Sequence, residues 1–142
     1  MQQLYKTACR RRRHHGIFHF QGAAMPSFID LADKLATFTE AWQPRTVALF
    51  NGHDVMVAKL RGDYHWHVHL DSDDFFLVLQ GQLEIDLDDG STVTLGAGQL
   101  YVVPKGVRHR PRARTEAHIL LIEPTGMPNS GDPLTAAPRT LI

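Results

Sequence analysis

The chain has 142 residues, 43% of them hydrophobic and 21% charged, with 15 Lys and Arg against 15 Asp and Glu. That length favours one domain with its own core, and the single cysteine, Cys9, excludes an internal disulfide framework and any Cys-based zinc ribbon. No run approaches the ~20 apolar residues that a spanning helix needs, so no membrane role is expected and the cytoplasm is the expected compartment.

The zero formal charge hides an asymmetry. Residues 1–24 carry five basic residues (Lys6 and Arg10 to Arg13) and no acid, which leaves a formal charge of −5 from Met25 onward. An acidic body does not attract a polyanion, so no nucleic-acid partner is expected. The basic run lacks the apolar core of a secretory signal and the serines of an organellar presequence. It reads as a disordered leader or an upstream start, with the domain over 25–142.

Ser27 is placed to cap a helix, with Asp30 answering as a weak capping box. Phe28, Leu31, Leu35, Phe38 and Trp42 then fall at spacings of 3, 4, 3 and 4, which predicts a helix over about 27–42, ending before Pro44. Its apolar stripe would dock on a sheet or on a second subunit.

After Pro44 the apolar period changes to 2. Val47–Phe50 and Val55–Leu60 flank Asn51-Gly52, the dipeptide best suited to a type I′ hairpin. Further strands are predicted at Tyr64–His69, Phe75–Leu79, Gln82–Leu87, Thr92–Leu95, Leu100–Val103, Val107–Arg112 and Ala117–Glu123. Gly or Pro punctuates nearly every turn, and no helix-length segment intervenes. The pattern reads as an all-β antiparallel sandwich or barrel over about 45–123, with an extended surface tail over 124–142.

The most informative run is Tyr64-His65-Trp66-His67-Val68-His69. In a strand His65, His67 and His69 share one face, so three of the six histidines beyond residue 24 point the same way. Asp73-Asp74 follows at the start of the next strand, and His109 lies far downstream after Pro104-Lys105-Gly106. Imidazoles at i and i+2, a carboxylate from a neighbouring strand and a third imidazole from another would make a four-ligand metal site. Asp73 competes with Asp74, but only one of the two can face inward with the histidines.

These residues resemble the cupin superfamily. His67-Val68-His69, four residues, Asp74, six residues and Gly81 fit the first cupin motif, with Asp74 where that motif has Glu. Gly98, Pro104-Lys105-Gly106 and His109 match the spacing of the second motif, in which Ala113 replaces the usual Asn. Gly62 lies one residue nearer His67 than the general pattern, which implies a tighter turn. The likeness covers roughly Val47 to Glu123 and is strongest to small single-domain bacterial cupins. It implies a double-stranded β-helix, or jelly-roll barrel, with one short N-terminal helix. It further implies a divalent transition metal (Fe, Mn, Ni, Zn or Cu) held by His67, His69, Asp74 and His109. Asp74 is one methylene shorter than Glu, so either the backbones approach closely, or a water intervenes, or Asp74 does not bind.

Around that site, His65 reads as an acid/base, a substrate contact or a satisfied, partly buried histidine. Phe76 and Val78 share Asp74's face and, with Tyr101, are expected to wall a pocket. Arg108, Arg110, Arg112 and Arg114 alternate with His109 and should point outward, to pair with acids such as Glu84 and Asp86, with a second subunit or with an anionic partner. The expected function is that of a metal-dependent enzyme, oxygenase or isomerase in type, acting on a small polar metabolite; the alternative is a non-catalytic module that binds a small molecule or metal. A homodimer is expected, because open sheet edges need covering.

Overall fold

The structure is a computed structural model and describes residues 28–142. The basic run and the Ser27 cap lie outside the described residues. The helix is much shorter than its apolar stripe: α1 covers Leu31–Leu35, capped by Asp30, whose carboxylate accepts from the Ala32 and Asp33 amides. Thr37 ends it by turning its hydroxyl back onto the Lys34 carbonyl at 2.7 Å. The stripe still does its packing, because Leu31, Leu35 and Phe38 cover Val57 on the outer face of the sheet. Trp42 has left the helix. Its amide donates to the Lys59 carbonyl, its indole nitrogen to the Arg61 carbonyl, and its ring packs on the main core.

Seven strands follow: β1 (Arg45–Phe50), β2 (His53–Asp63), β3 (Asp74–Gln80), β4 (Gln82–Leu87), β5 (Thr92–Gly96), β6 (Leu100–Val103) and β7 (His109–Pro124). A two-residue β8 (Thr140–Leu141) closes the chain. The β1–β2 hairpin turns on Asn51 and Gly52, both at positive φ as a type I′ turn demands. The two strands predicted from Val107 to Glu123 are one 16-residue strand, β7, which serves as the spine of the sheet. One edge of β7 pairs with β2 for most of its length, while the other pairs first with β4 and then with β3.

That fork corrects the barrel expected from the sequence. The ladder runs β5-β4-β7-β2-β1-β8, with β6 attached through β3, and it does not close on itself. The terminal strands are short, two to five residues, and so offer few hydrogen bonds for closure. The predicted Tyr64–His69 strand also contributes only one bridge, His67 opposite His109. The fold is mostly β, with cupin-like topology, a short helix and an open sheet. Its core is the inner face: Met56, Ala58, Leu60, Phe76, Val78, Leu83, Ile85, Ile119 and Leu121 form one buried cluster. Burial of these side chains, at roughly 25 cal/mol per Å² of apolar surface, is the main force holding the fork together.

Candidate functional site

Three elements bring their polar residues to one end of this core. The Tyr64–Leu70 segment is pinned to β7 by reciprocal backbone bonds between His67 and His109, at 3.0 and 2.9 Å. The Gly106 amide donates to the His69 carbonyl at 2.7 Å and fixes the next residue pair. Alternation then turns His67 and His69 inward, where they are buried, and β3 begins by placing Asp74 beneath them. His109, the first residue of β7, completes the set and is 1% exposed.

The four side chains converge tightly. One ligand atom from each of His67, His69, Asp74 and His109 can be chosen so that all lie within 4.8 Å of one another. Asp74 Oδ2 stands 3.0 Å from His109 Nε2, 3.4 Å from His69 Nε2 and 3.8 Å from His67 Nε2. The shorter aspartate therefore reaches all three imidazoles. The Nδ1 of His67 meets the His65 carbonyl at 3.1 Å and that of His109 meets the Val107 carbonyl at 3.0 Å. A carbonyl only accepts, so both Nδ1 atoms carry protons and both Nε2 atoms face the centre of the cluster, where a protonated ring donates to Asp74 and a neutral ring offers a lone pair to a cation.

Lone pairs facing a carboxylate repel unless a cation or proton lies between them. Both ring nitrogens of His69 and Oδ1 of Asp74 are buried without a hydrogen-bond partner, an arrangement that costs stability as it stands. One divalent ion would take an Nε2 from each imidazole together with the Asp74 carboxylate, so the residues fit the metal that the motif implies. Burial alone would raise the Asp74 pKa, but contacts from His109, His67 and His69 overcome it and hold the carboxyl far below the usual range. For His69, burial disfavours the charged form, yet Asp74 outweighs it and raises the pKa. The cluster is thus capable of coordinating a divalent metal ion.

The other predicted residues divide. Phe76 is buried beside the cluster, lines a cavity of about 30 Å³ with His67 and Asp74, and sets its ring edge toward His109. Val78 and Tyr101 belong to the core behind it, Val78 fully buried and Tyr101 partly. His65 is exposed, its ring 5.6 Å from that of His67 and 3.9 Å from Tyr64. Its pKa is lowered, first by desolvation and then by His67. Asp73 is exposed and accepts from the Lys105 amide at 2.9 Å, tying its loop to the Pro104-Lys105-Gly106 turn. Three of the four arginines pair with Glu84 or Asp86, Arg110 with Asp86 and Arg112 with Glu84, each at 2.8 Å, and Arg114 with Glu84 at 3.3 Å, whereas Arg108 lies over the Trp66 ring.

Sequence reasoning missed Glu123. It is 3% exposed, lines the same cavity as His67 and Asp74, and has its pKa pushed up to about 8 by burial and then by the Asp74 charge. Parity carried the signal: Ala117, Ile119, Leu121 and Glu123 alternate onto the buried face of β7, so an acid continues an apolar series. The tail over 124–142 is mostly at the surface. It folds back over this end of the sheet, where Arg139 clamps buried Asp54 through Nε at 2.6 Å and a second nitrogen at 2.8 Å.

Comparisons with known proteins agree with this geometry. The Cupin domain family model matches residues 55–123. Over 78 residues the chain is 40% identical to the uncharacterized protein YdbB of Bacillus subtilis (strain 168), covering 55% of this chain and 69% of that one. A cupin-2 domain containing protein from Shewanella frigidimarina superimposes with a TM-score of 0.66 at 42% identity, over 68% of this chain and 93% of the other. Protein NMB1881 from Neisseria meningitidis superimposes with a TM-score of 0.64 at 37% identity, over 70% and 100% of the two chains. With both motifs in register and their four polar residues gathered in one buried cluster, the chain belongs to the cupin superfamily.

Proposed function

We infer that this cupin is a metal-dependent enzyme acting on a small polar metabolite, with His67, His69, Asp74 and His109 as the metal ligands. The observation that carries the reading is the buried cluster of three imidazoles and a carboxylate with unpartnered His69 nitrogens and Asp74 Oδ1. A divalent metal held there supplies Lewis acidity or, if redox-active, oxygen chemistry, which is the basis for reading the reaction as isomerase or oxygenase in type.

The chain's own residues prepare the site. The His65 and Val107 carbonyls hold the rings of His67 and His109 in the tautomer that presents Nε2. Phe76, Ile119, Leu121 and the stacked pair Trp42–Tyr64, with ring centroids 4.8 Å apart, keep bulk water from the cavity side. His65, exposed at the rim, is assigned the exchange of protons with solvent. A non-catalytic binding module is the second reading, favoured by the roughly 30 Å³ of free volume directly against the cluster. A homodimer in the cytoplasm completes the proposal, supported by the exposed apolar side chains Leu49, Phe50 and Leu100 and by the open sheet edges. No helix among the described residues is long and apolar enough to cross a membrane.

Elemental analysis of protein purified without a nickel column tests the metal reading directly. About one equivalent of iron, manganese, nickel, copper or zinc is expected per chain. Iron or copper then directs the assay to oxygen consumption over a substrate panel, and the other metals to isomerisation. Full metal loading without turnover across that panel selects the binding module. No metal under any loading condition overturns the enzyme reading and leaves a module that binds a small molecule.

A further inference from the structure

Four carboxylates are buried among the described residues: Asp54, Asp74, Asp86 and Glu123. Three are answered. Asp54 is held by Arg139 and Thr125, Asp74 faces three imidazoles, and Asp86 takes Arg110 and Thr92. The Glu123 carboxyl makes no hydrogen bond or ion pair with any described residue, although it is only 3% exposed. Unlike Asp74 Oδ1, its oxygens are not sealed off, and they open onto cavities from which water or a ligand can meet them.

Its surroundings show where that group would come from. Glu123 lines the small cavity with His67 and Asp74, and also a larger one of about 300 Å³ roofed by the tail. Pro44 and Asn129 are the other residues common to both. Asn129 is already engaged, its Oδ1 accepting from the Ala137 amide at 2.8 Å and its Nδ2 lying 3.4 Å from the Tyr64 hydroxyl. Glu123 is thus the unpaired polar group on the wall between metal cluster and tail.

The larger cavity is otherwise mainly apolar, with Met56, Met127, Pro128, Ala136 and Pro138 among its walls. Its one cation, Arg139, is committed to Asp54, so no free positive charge lines it, and the buried Thr46 hydroxyl is the other polar group there without a partner. The roof is also set in place: Gly131 has φ +71°, and a Cβ there would run into the Val68 carbonyl between the two ligand histidines.

We propose that Glu123 is the substrate-facing carboxyl of this site, pairing with the hydroxyl of a small, otherwise apolar molecule seated between the metal cluster and the tail. The proposal builds on the reading of the cluster as a metal centre and narrows its ligand from a small polar metabolite to one whose polar part is a hydroxyl on an apolar body. A hydroxyl both donates and accepts, so it pairs with the carboxyl in either protonation state. A volume of about 300 Å³ matches the lower end of small-molecule pockets.

Phenol and toluene, which differ by a hydroxyl against a methyl, serve as probes on zinc-loaded protein. The phenol-to-toluene affinity ratio is expected to fall about tenfold in Glu123→Leu, the worth of one good hydrogen bond, and to stay within about threefold in Glu123→Gln, whose amide also donates and accepts. An unchanged ratio in Glu123→Leu overturns the proposal. So does loss of zinc by Glu123→Leu alone, which would make Glu123 a ligand or a prop of the cluster. With wild-type protein labelled at the glutamate carboxyl carbon, and the signal assigned through Glu123→Gln, phenol should shift the Glu123 resonance and toluene should not; the absence of any shift with phenol is equally fatal. If the wild type takes up no zinc, the metal reading fails, while the ratio and the shift measured on that same protein still decide Glu123.

Discussion

The first residues of β7 carry charge on both faces, and the two faces solve the problem differently. Outside, Arg110, Arg112 and Arg114 meet Asp86 and Glu84 across the β4–β7 ladder, and Arg108 and Arg110 lie over the Trp66 ring at 5.1 and 5.3 Å. All of these groups but Asp86 are partly wetted, and each has an opposite charge or a π face to answer it. Inside, beginning at His109, three imidazoles surround a single carboxylate, and the nitrogens of His69 and one oxygen of Asp74 have no partner. Charge balance is complete where water could have helped and incomplete where it cannot reach. A structural ion-pair network has the first pattern; a cluster that awaits a cation has the second.

The sharpest way to break that contrast is to remove the inner carboxylate. Asp74→Ala is expected to reduce bound metal from about one equivalent to a small fraction, read by elemental analysis. In the wild type, metal at about 100 times Kd should add about 2.7 kcal/mol of stability, seen as a melting temperature that falls on chelation. A chelator with no effect on either protein would erase the distinction between the two faces.

Next in size is the tail that covers the inner face. Gly131→Ala forces a side chain into a positive φ and against the Val68 carbonyl, and should cost roughly 1–3 kcal/mol by chemical denaturation. It should also weaken metal retention, because Val68 stands between His67 and His69. Wild-type stability in this variant would mean the roof is not fixed by that contact.

Glu123 supplies a pH test on metal-free protein. Its folded pKa, pushed up to about 8, exceeds the ordinary glutamate value near 4.5. Between those values the folded chain keeps a proton that the unfolded chain has released. The contribution is therefore fully present below about 4.5 and is lost as pH rises toward 8, at up to about 1.4 kcal/mol per pH unit. Glu123→Gln mimics the protonated form, so its melting temperature should exceed that of the wild type by more at pH 8 than at pH 5. A gap independent of pH would contradict the burial argument.

The smallest effect belongs to the outer face. Arg114, with its side chain 75% exposed, pairs with Glu84 in water, so Arg114→Ala should move the melting temperature by no more than about 2 °C, and less in high salt. A large loss there would show that the outer ladder carries more of the fold than its exposure allows.

Local chemistry was legible in the chain itself. Alternation of apolar and polar residues places Asp74, Phe76 and Val78 on one face of β3, and the same rule sets His109 against the arginines on β7. Asn51-Gly52 demands the turn it makes, and the two spaced motifs select the four cluster residues, because side-chain facing and turn geometry follow from neighbours along the chain. Where a side chain's fate depends on partners distant in sequence, reading fails. His65 obeys the parity of its neighbours, yet it lies beyond the one bridge at His67 and meets solvent. The apolar stripe that predicts a helix to Trp42 is cut at Leu35, because Trp42 gains bonds to Lys59 and Arg61 on β2.

Strand faces, turns and the identity of the four cluster residues thus follow from the order of residues along the chain. That the sheet stays open does not, since closure depends on how β7 shares its two edges among β2, β3 and β4. Long-range contact, too, brought the tail over Glu123, with its Arg139 on Asp54. Backbone pairing and burial are settled by long-range competition for edges and apolar surface, and a local pattern records which face a residue takes but not what will cover it.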